Sequence, residues 1–336
     1  MSSRRSVAYF ALLATFAVSA CSGDDSAGPA TDAPTTLSPA TEAPTTVSLD
    51  PAVEAMMYTE AGPYPVGVTT LELAAGNKVE VWYPAVEGTT GAEFYDTRDF
   101  VPPAIKALLT ADVPARYDYT AGRDAVVADG QFPIVLFSHG YSGIRLQSTF
   151  LTAHLASWGM IVAAPDHWSR DLFHVLSAPV GDRESATGEL LGTLDLVTSG
   201  DDDPASLLQG HVDVSRVIAL GHSAGGGTIV SAAKDDRVDG YISMASGVLG
   251  MGSANATTTA PPTFVNKPSF FIAGALDAII SAEESTRPSF EAVPGPSRLW
   301  IIDGVGHNGF DDFCTFGNGS GIIGVALASG LGPLLE

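Results

Sequence analysis

Apolar and polar residues follow two different rhythms along this chain. Val66-Gly67-Val68-Thr69-Thr70-Leu71-Glu72-Leu73 and Lys78-Val79-Glu80-Val81-Trp82-Tyr83 alternate, and Ala75-Gly76-Asn77 joins them with a turn composition. A period of two marks half-buried strands, so the spacing predicts an opening hairpin. Farther on, alternation gives way to a continuous apolar run at Pro133–Phe137, followed by apolar-rich strand segments at Met160–Pro165, Val217–Leu220, Val238–Met244, Ser269–Gly274 and Arg298–Ile302. Such runs suit parallel strands buried on both faces. Segments of helical spacing lie between them. Arg145–Trp158 carries Leu146, Phe150, Leu151, His154 and Leu155 on one stripe, and Gly159 stops it. Further helices are predicted over Glu184–Val197, Ala224–Lys234 and Ala282–Arg287, the last ended or kinked by Pro288. An apolar helix closes the chain after Ser320. Residues 84–130 are mixed, with a short helix over Pro103–Thr110. Strand, helix and strand from Pro133 to Pro165 make one right-handed βαβ unit. The whole pattern predicts an α/β fold, with a mostly parallel central sheet and helices on both faces.

The N-terminus reads as an address. Arg4 and Arg5 precede an apolar run, Val7–Ala20, that is too short to span a bilayer. It ends in Val18-Ser19-Ala20-Cys21, which resembles a bacterial lipobox. Residues 1–20 are therefore expected to be a signal peptide, with Cys21 acylated as the first mature residue. The alternative is ordinary secretory cleavage near Ala20 that leaves Cys21 as a thiol. Residues 21–55 are rich in Thr and Pro, with a near-repeat of Ala30–Pro39 in Ala40–Leu49. They offer no apolar face and read as a disordered tether. Residues 56–336 are then expected to form one folded domain. With lipid on Cys21, Cys314 is expected to lack an intramolecular partner, and the domain to hold together by core size alone.

Charge narrows the partners. With 16 basic against 38 acidic residues the net charge is -22. Nucleic acid and anionic membrane surfaces both demand a positive patch, so neither is expected. Membrane contact is expected only through the anchor on Cys21, at the bacterial cell surface or after secretion. A monomer is expected.

Candidate chemistry sits at strand ends, where open α/β sheets gather their functional groups. Gly221-His222-Ser223-Ala224-Gly225 follows the Val217 run and precedes a helical segment. Glycines on both sides of a serine suit a sharp strand-to-helix turn that lifts its hydroxyl clear of the sheet. Asp277 follows the Ser269 run and His307 follows the Arg298 run, giving the chain order Ser, Asp, His. A serine hydroxyl needs a base to accept its proton, and a carboxylate orients that base. Asp303 is a rival acid, only four residues before His307. The catalytic candidates are therefore Ser223, Asp277 and His307. The backbone N–H groups of Ala224 and Tyr141 are the candidate oxyanion donors. His139 and His222 are expected to pack beside the site, and the Tyr141 ring, His222 and Trp168 to line a substrate groove. The chemistry calls for no metal and no organic cofactor.

These motifs carry a resemblance. Phe137-Ser138-His139-Gly140-Tyr141, Leu155-Ala156-Ser157 through Ala164-Pro165, the Gly-His-Ser-Ala-Gly turn and Gly306-His307 resemble the α/β-hydrolase superfamily. More narrowly they resemble the dienelactone hydrolase, platelet-activating-factor acetylhydrolase and bacterial cutinase (polyester hydrolase) group, over about residues 66–315. The resemblance implies an α/β-hydrolase fold and a serine carboxylic-ester hydrolase working through an acyl-enzyme. Its implied substrates are cutinase- or polyesterase-like, or acetylhydrolase-like. Dienelactone hydrolases use cysteine as nucleophile, and Ser223 departs from that. The acetylhydrolases carry the acid one strand earlier, where this chain has Met244-Ala245-Ser246-Gly247; Asp277 is similar to the cutinase placement. The paired cysteines near the polyesterase C-terminus are absent, with Cys314 alone there. Two other readings stand beside the esterase: a non-catalytic surface lipoprotein that uses the fold as a binding module, and an amidase or peptidase. The stretch 167–214 is either a lid or a surface excursion.

Overall fold

The opening hairpin forms as its alternation demands. In the computed structural model, which describes residues 56–177, 185–247 and 263–330, β1 (Val66–Glu72) pairs antiparallel with β2 (Lys78–Pro84). Residues 84–130 build a small two-stranded sheet from β3 (Glu93–Asp96) and β4 (Arg116–Tyr119), and β5 (Gly122–Arg123) lies beside β1. The helix predicted over Pro103–Thr110 is shorter, a single turn at Pro103–Lys106.

The α/β repeat follows. It runs β6 (Phe132–Ser138), α1 (Thr149–Ser157), β7 (Ile161–Pro165), α2 (Ala186–Asp202), β8 (Val212–His222), α3 (Ala224–Ala232) and β9 (Gly240–Met244). After these come β10 (Ser269–Gly274), β11 (Ser297–Ile302) and α4 (Gly321–Ala328). The strands lie in the order β11-β10-β9-β8-β6-β7-β2-β1-β5. Pairing is parallel from β7 to β11 and antiparallel where β2 meets β7 and β1. Strand order reverses at β6, which has β7 on one side and β8 on the other. The crevice at the carboxyl ends of β6 and β8 is where such sheets bind ligands.

Alternate residues of the apolar runs feed two cores, one on each face. Ile134, Leu136, Ile161, Ala163, Val217 and Ala219 pack with Leu190, Leu194 and Val197 of α2 and Ile229 and Val230 of α3. Val135, Phe137, Val162, Ala164 and Leu220 pack on the other face with Ala156 of α1, Phe310, Phe316 and Val325 of α4. Both faces are covered, so the runs show no polar alternation. Each fully buried Leu, Ile or Phe side chain contributes roughly 1.5–3 kcal/mol.

Five sequence expectations change. Helix α1 starts at Thr149 rather than Arg145, because the Arg145 N–H donates to Asp166 Oδ1 at 2.9 Å and holds that stretch in a turn. Phe150, on the expected buried stripe, is 45% exposed. The helix predicted over Ala282–Arg287 forms as a π-helical turn, Ala282–Thr286, and Pro288 does not end the run: it lies in the first turn of the α-helix Arg287–Glu291 that follows directly. Much of 167–214 is neither lid nor surface excursion, since α2 buries Leu190, Leu194 and Val197 in the sheet core as the crossover from β7 to β8. Finally, Cys314 is disulfide-bonded, which corrects the expectation of a partnerless thiol. That expectation rested on assigning Cys21 to lipid, and Cys21 lies outside the described residues.

Candidate active site

Strand β8 delivers Ser223 into a backbone conformation that side chains rarely adopt, φ +54° and ψ -120°. The turn is held from the neighbouring strand by Ser223 N–H donating to Met244 O at 2.9 Å. Helix α3 begins at once with Ala224. The flanking glycines are steric necessities. A Cβ on Gly221 would lie 2.4 Å from Gly225 O, and one on Gly225 would lie 1.9 Å from Ser138 O. Ser223 itself stays half-buried, open to approach.

The three loops beyond β8, β10 and β11 converge on it. His307 Nε2 stands 3.0 Å from Ser223 Oγ, and His307 Nδ1 stands 2.8 Å from Asp277 Oδ2. Asp277 Oδ1 accepts the N–H groups of Ile279 at 2.9 Å and Ile280 at 2.8 Å, which aims the other oxygen at the imidazole. Both Asp277 and His307 are buried, whereas the rival Asp303 is exposed. Gly274 permits the two loops to touch, because a Cβ there would lie 2.2 Å from Val305 O.

The loop after β6 reaches the same point. A Cβ on Gly140 would come within 3.2 Å of Ser223 Cβ, so Gly140 and the following Tyr141 abut the serine. Tyr141 is 54% exposed. Ala224 heads α3, where the positive end of the helix dipole favours developing negative charge.

Two expected lining residues sit elsewhere. His222 is only 3% exposed, with Nδ1 3.0 Å from Gln147 Nε2 and Nε2 3.0 Å from His307 O. Burial, helped by neighbouring His307, pushes it down to about 3, so the ring is neutral. It supports the site from behind rather than lining a groove. Trp168 packs on His174 at 5.3 Å between ring centroids and over Gly76 at the turn of the first hairpin. There its backbone N–H is bound by Glu189 Oε1 at 3.1 Å.

Sequence reasoning missed a second serine–histidine–acid arrangement. Ser138 Oγ lies 2.9 Å from His167 Nε2, and His167 Nδ1 lies 2.9 Å from Glu189 Oε2. Arg170 donates to Ser138 Oγ, to His139 O and to Thr228 Oγ1, each at 2.8 Å. Burial first, and Arg170 second, hold His167 well below the usual histidine range, while burial raises Glu189 to about 7. Ser138 and His167 have no exposed surface, so no substrate carbonyl reaches this serine. His167 follows a strand end and was visible as such. Glu189, inside a helix, belongs to no local motif.

An open, mostly parallel sheet with a strained serine turn at its switch point defines the α/β-hydrolase fold. Residues 121–324 match the family model PETase, described as PET hydrolase-like, and the chain belongs to that family. It is 24% identical over 176 residues to "Cutinase est2" of Thermobifida alba, a match covering 52% of this chain and 52% of the cutinase. It is also 24% identical over 323 residues to "Platelet-activating factor acetylhydrolase" of Cavia porcellus, covering 80% of this chain and 71% of that enzyme. The chain thus matches about half the length of the cutinase.

Proposed function

We propose that the chain is a serine-dependent ester hydrolase acting through Ser223, His307 and Asp277. One observation carries this reading: an unbroken hydrogen-bonded series of 2.8 and 3.0 Å that ends on a half-exposed serine in a strained turn. Ser223 Oγ attacks the ester carbonyl carbon while its proton passes to His307 Nε2. Asp277 keeps the His307 proton on Nδ1 and stabilises the imidazolium. The negative oxygen of the tetrahedral intermediate is held by the N–H groups of Ala224 and Tyr141; one such donor is typically worth ~3 kcal/mol in the transition state. Collapse expels the alcohol, which takes the proton from His307. Water then repeats the sequence on the acyl-enzyme and releases the acid.

The substrate range is cutinase- or polyesterase-like. The position of Asp277 after β10 rather than β9 supports it, as do the family match and the exposure of Tyr141, which follows Gly140 at the serine. Short p-nitrophenyl esters and a polyester film should both be cleaved. Replacing Ser223 with Ala should abolish both activities in a protein of unchanged fold. Retained hydrolysis by Ser223→Ala would show the reading to be wrong. A preference for a short-chain acetyl phospholipid over the film would move the substrate toward the acetylhydrolase side. Residues 56–336 form the catalytic unit in this proposal, and residues 21–55 its tether.

A further inference from the structure

Gln147 lies outside every motif described above, yet it touches the loops after β6 and β11 and the end of β8. Its side chain is buried, and Gly143 makes the room, since a Cβ there would lie 2.2 Å from Gln147 Oε1. Oε1 accepts the Gly140 N–H at 3.1 Å, which identifies the other end of the amide as the donor. That Nε2 points at His222 Nδ1, 3.0 Å away, so Nδ1 is the acceptor and the His222 proton sits on Nε2. Nε2–H then donates to the His307 carbonyl at 3.0 Å. The Gln147 backbone carbonyl accepts Asp312 N–H at 2.7 Å, five residues beyond His307. Every donor in this series has an acceptor, and each bond specifies the direction of the next.

We propose that Gln147 and His222 are positioning residues that lock the Gly140–Tyr141 loop to the His307 loop across the serine turn. The proposal rests on the hydrolase reading, because it assigns those loops the oxyanion donor and the base. Neither side chain touches substrate. Their effect is to fix the distance between a donor that meets the oxyanion and a base that meets the Ser223 proton. A small misplacement of reacting groups costs up to about 100-fold in rate.

The direction of the series depends on a neutral His222. The titratable groups facing its ring are His307, at 4.9 Å between centroids, and the Asp311 carboxyl, 4.0 Å from Nδ1. Asp277 acts from behind His307, and His139 from the β6 loop. Burial holds His222 and His139 below their ordinary range, which leaves both imidazoles uncharged near neutrality, and burial likewise raises the Asp311 carboxyl.

The test uses the full chain. Gln147→Leu and His222→Phe should each lower kcat about ten- to a hundred-fold on a short p-nitrophenyl ester, with KM within about two-fold. Their combination should lose no more than the poorer single variant, because both interrupt one series. Unchanged kcat in either folded variant, or losses that multiply, would overturn the proposal. Long-range proton–nitrogen NMR of the wild-type protein provides a measurement that needs no variant to fold. It should show His222 with a bare Nδ1 and a protonated Nε2 throughout pH 5–9; a protonated Nδ1 would equally overturn it. This tautomer is independent of whether the protein hydrolyses esters, so a failure of the hydrolase reading is separately visible.

Discussion

At the scale of single residues, accessibility separates two serine–histidine–acid sets that look alike by distance. Ser223 is reachable and sits in a strained turn, while Ser138 is sealed beneath the loop it supports. In the proposed mechanism Asp277, 2.8 Å from His307 Nδ1, keeps a proton on that nitrogen. Asp277→Asn should preserve the fold and lower kcat about 10^4-fold, the usual result of presenting the wrong tautomer. Steady-state kinetics alongside a melting curve will check it. The glycines around the serine differ just as sharply. Gly225→Ala drives a Cβ into Ser138 O and should prevent soluble folding, whereas a Cβ at Gly227, inside α3, meets nothing within 4 Å. Gly227→Ala should therefore raise stability by about 0.5–1 kcal/mol, read as a shift in the urea midpoint. Ser223, Asp277 and His307 were legible in the sequence because each follows an apolar run by a few residues. Gln147 and Glu189 were not, because their partners lie far along the chain, and nothing near them in sequence marks the contact.

At the scale of elements, long-range caps decide where the regular structure starts. Helix α1 lacks a cap from its own Ser148; its first N–H groups, from Thr149 and Phe150, donate to the Asp312 carboxylate at 2.8 and 3.3 Å. A carboxylate at a helix N-terminus suits the dipole, and this one also fastens α1 to the loop that carries His307. The predicted start at Arg145 failed because Asp166 holds the Arg145 N–H in a turn and Asp312 caps the helix at Thr149, and periodicity reports an apolar stripe but neither remote contact. Strand β10, by contrast, has the bounds read from its apolar run, since burial on both faces leaves a pattern in the sequence itself. Burial raises Asp312 and Glu189 to about 7 each. An unfolded carboxyl titrates near 4, so between about pH 4 and pH 7 the unfolded chain releases protons that the folded chain keeps. Stability from these groups should therefore fall as pH rises through that window. Urea unfolding at pH 5 and pH 8 should show the decline, and Asp312→Asn should flatten it. An equal decline in the variant would remove Asp312 from the explanation.

Over the whole molecule, the sheet order gathers the loops after β6, β8, β10 and β11 around Ser223, with both cores beneath them. The α/β class was legible from the runs and their spacing. The function of 167–214 was not, because α2 presents a mixed surface until its apolar side meets the sheet. The cysteines show the limit of counting. A disulfide at Cys314 and acylation of Cys21 exclude each other within a single chain that has two cysteines. Among the described residues the structure predicts no maleimide-reactive thiol at Cys314 in the denatured, unreduced protein; labelling of Cys314 would return it to the unpaired state that a lipid on Cys21 entails.

The central claim is that Ser223 is the nucleophile, and covalent labelling addresses it most directly. A fluorophosphonate probe incubated with the native protein, followed by digestion and peptide mapping, should place one adduct on Ser223 and none on Ser138. No adduct, or an adduct on another serine, would contradict the account.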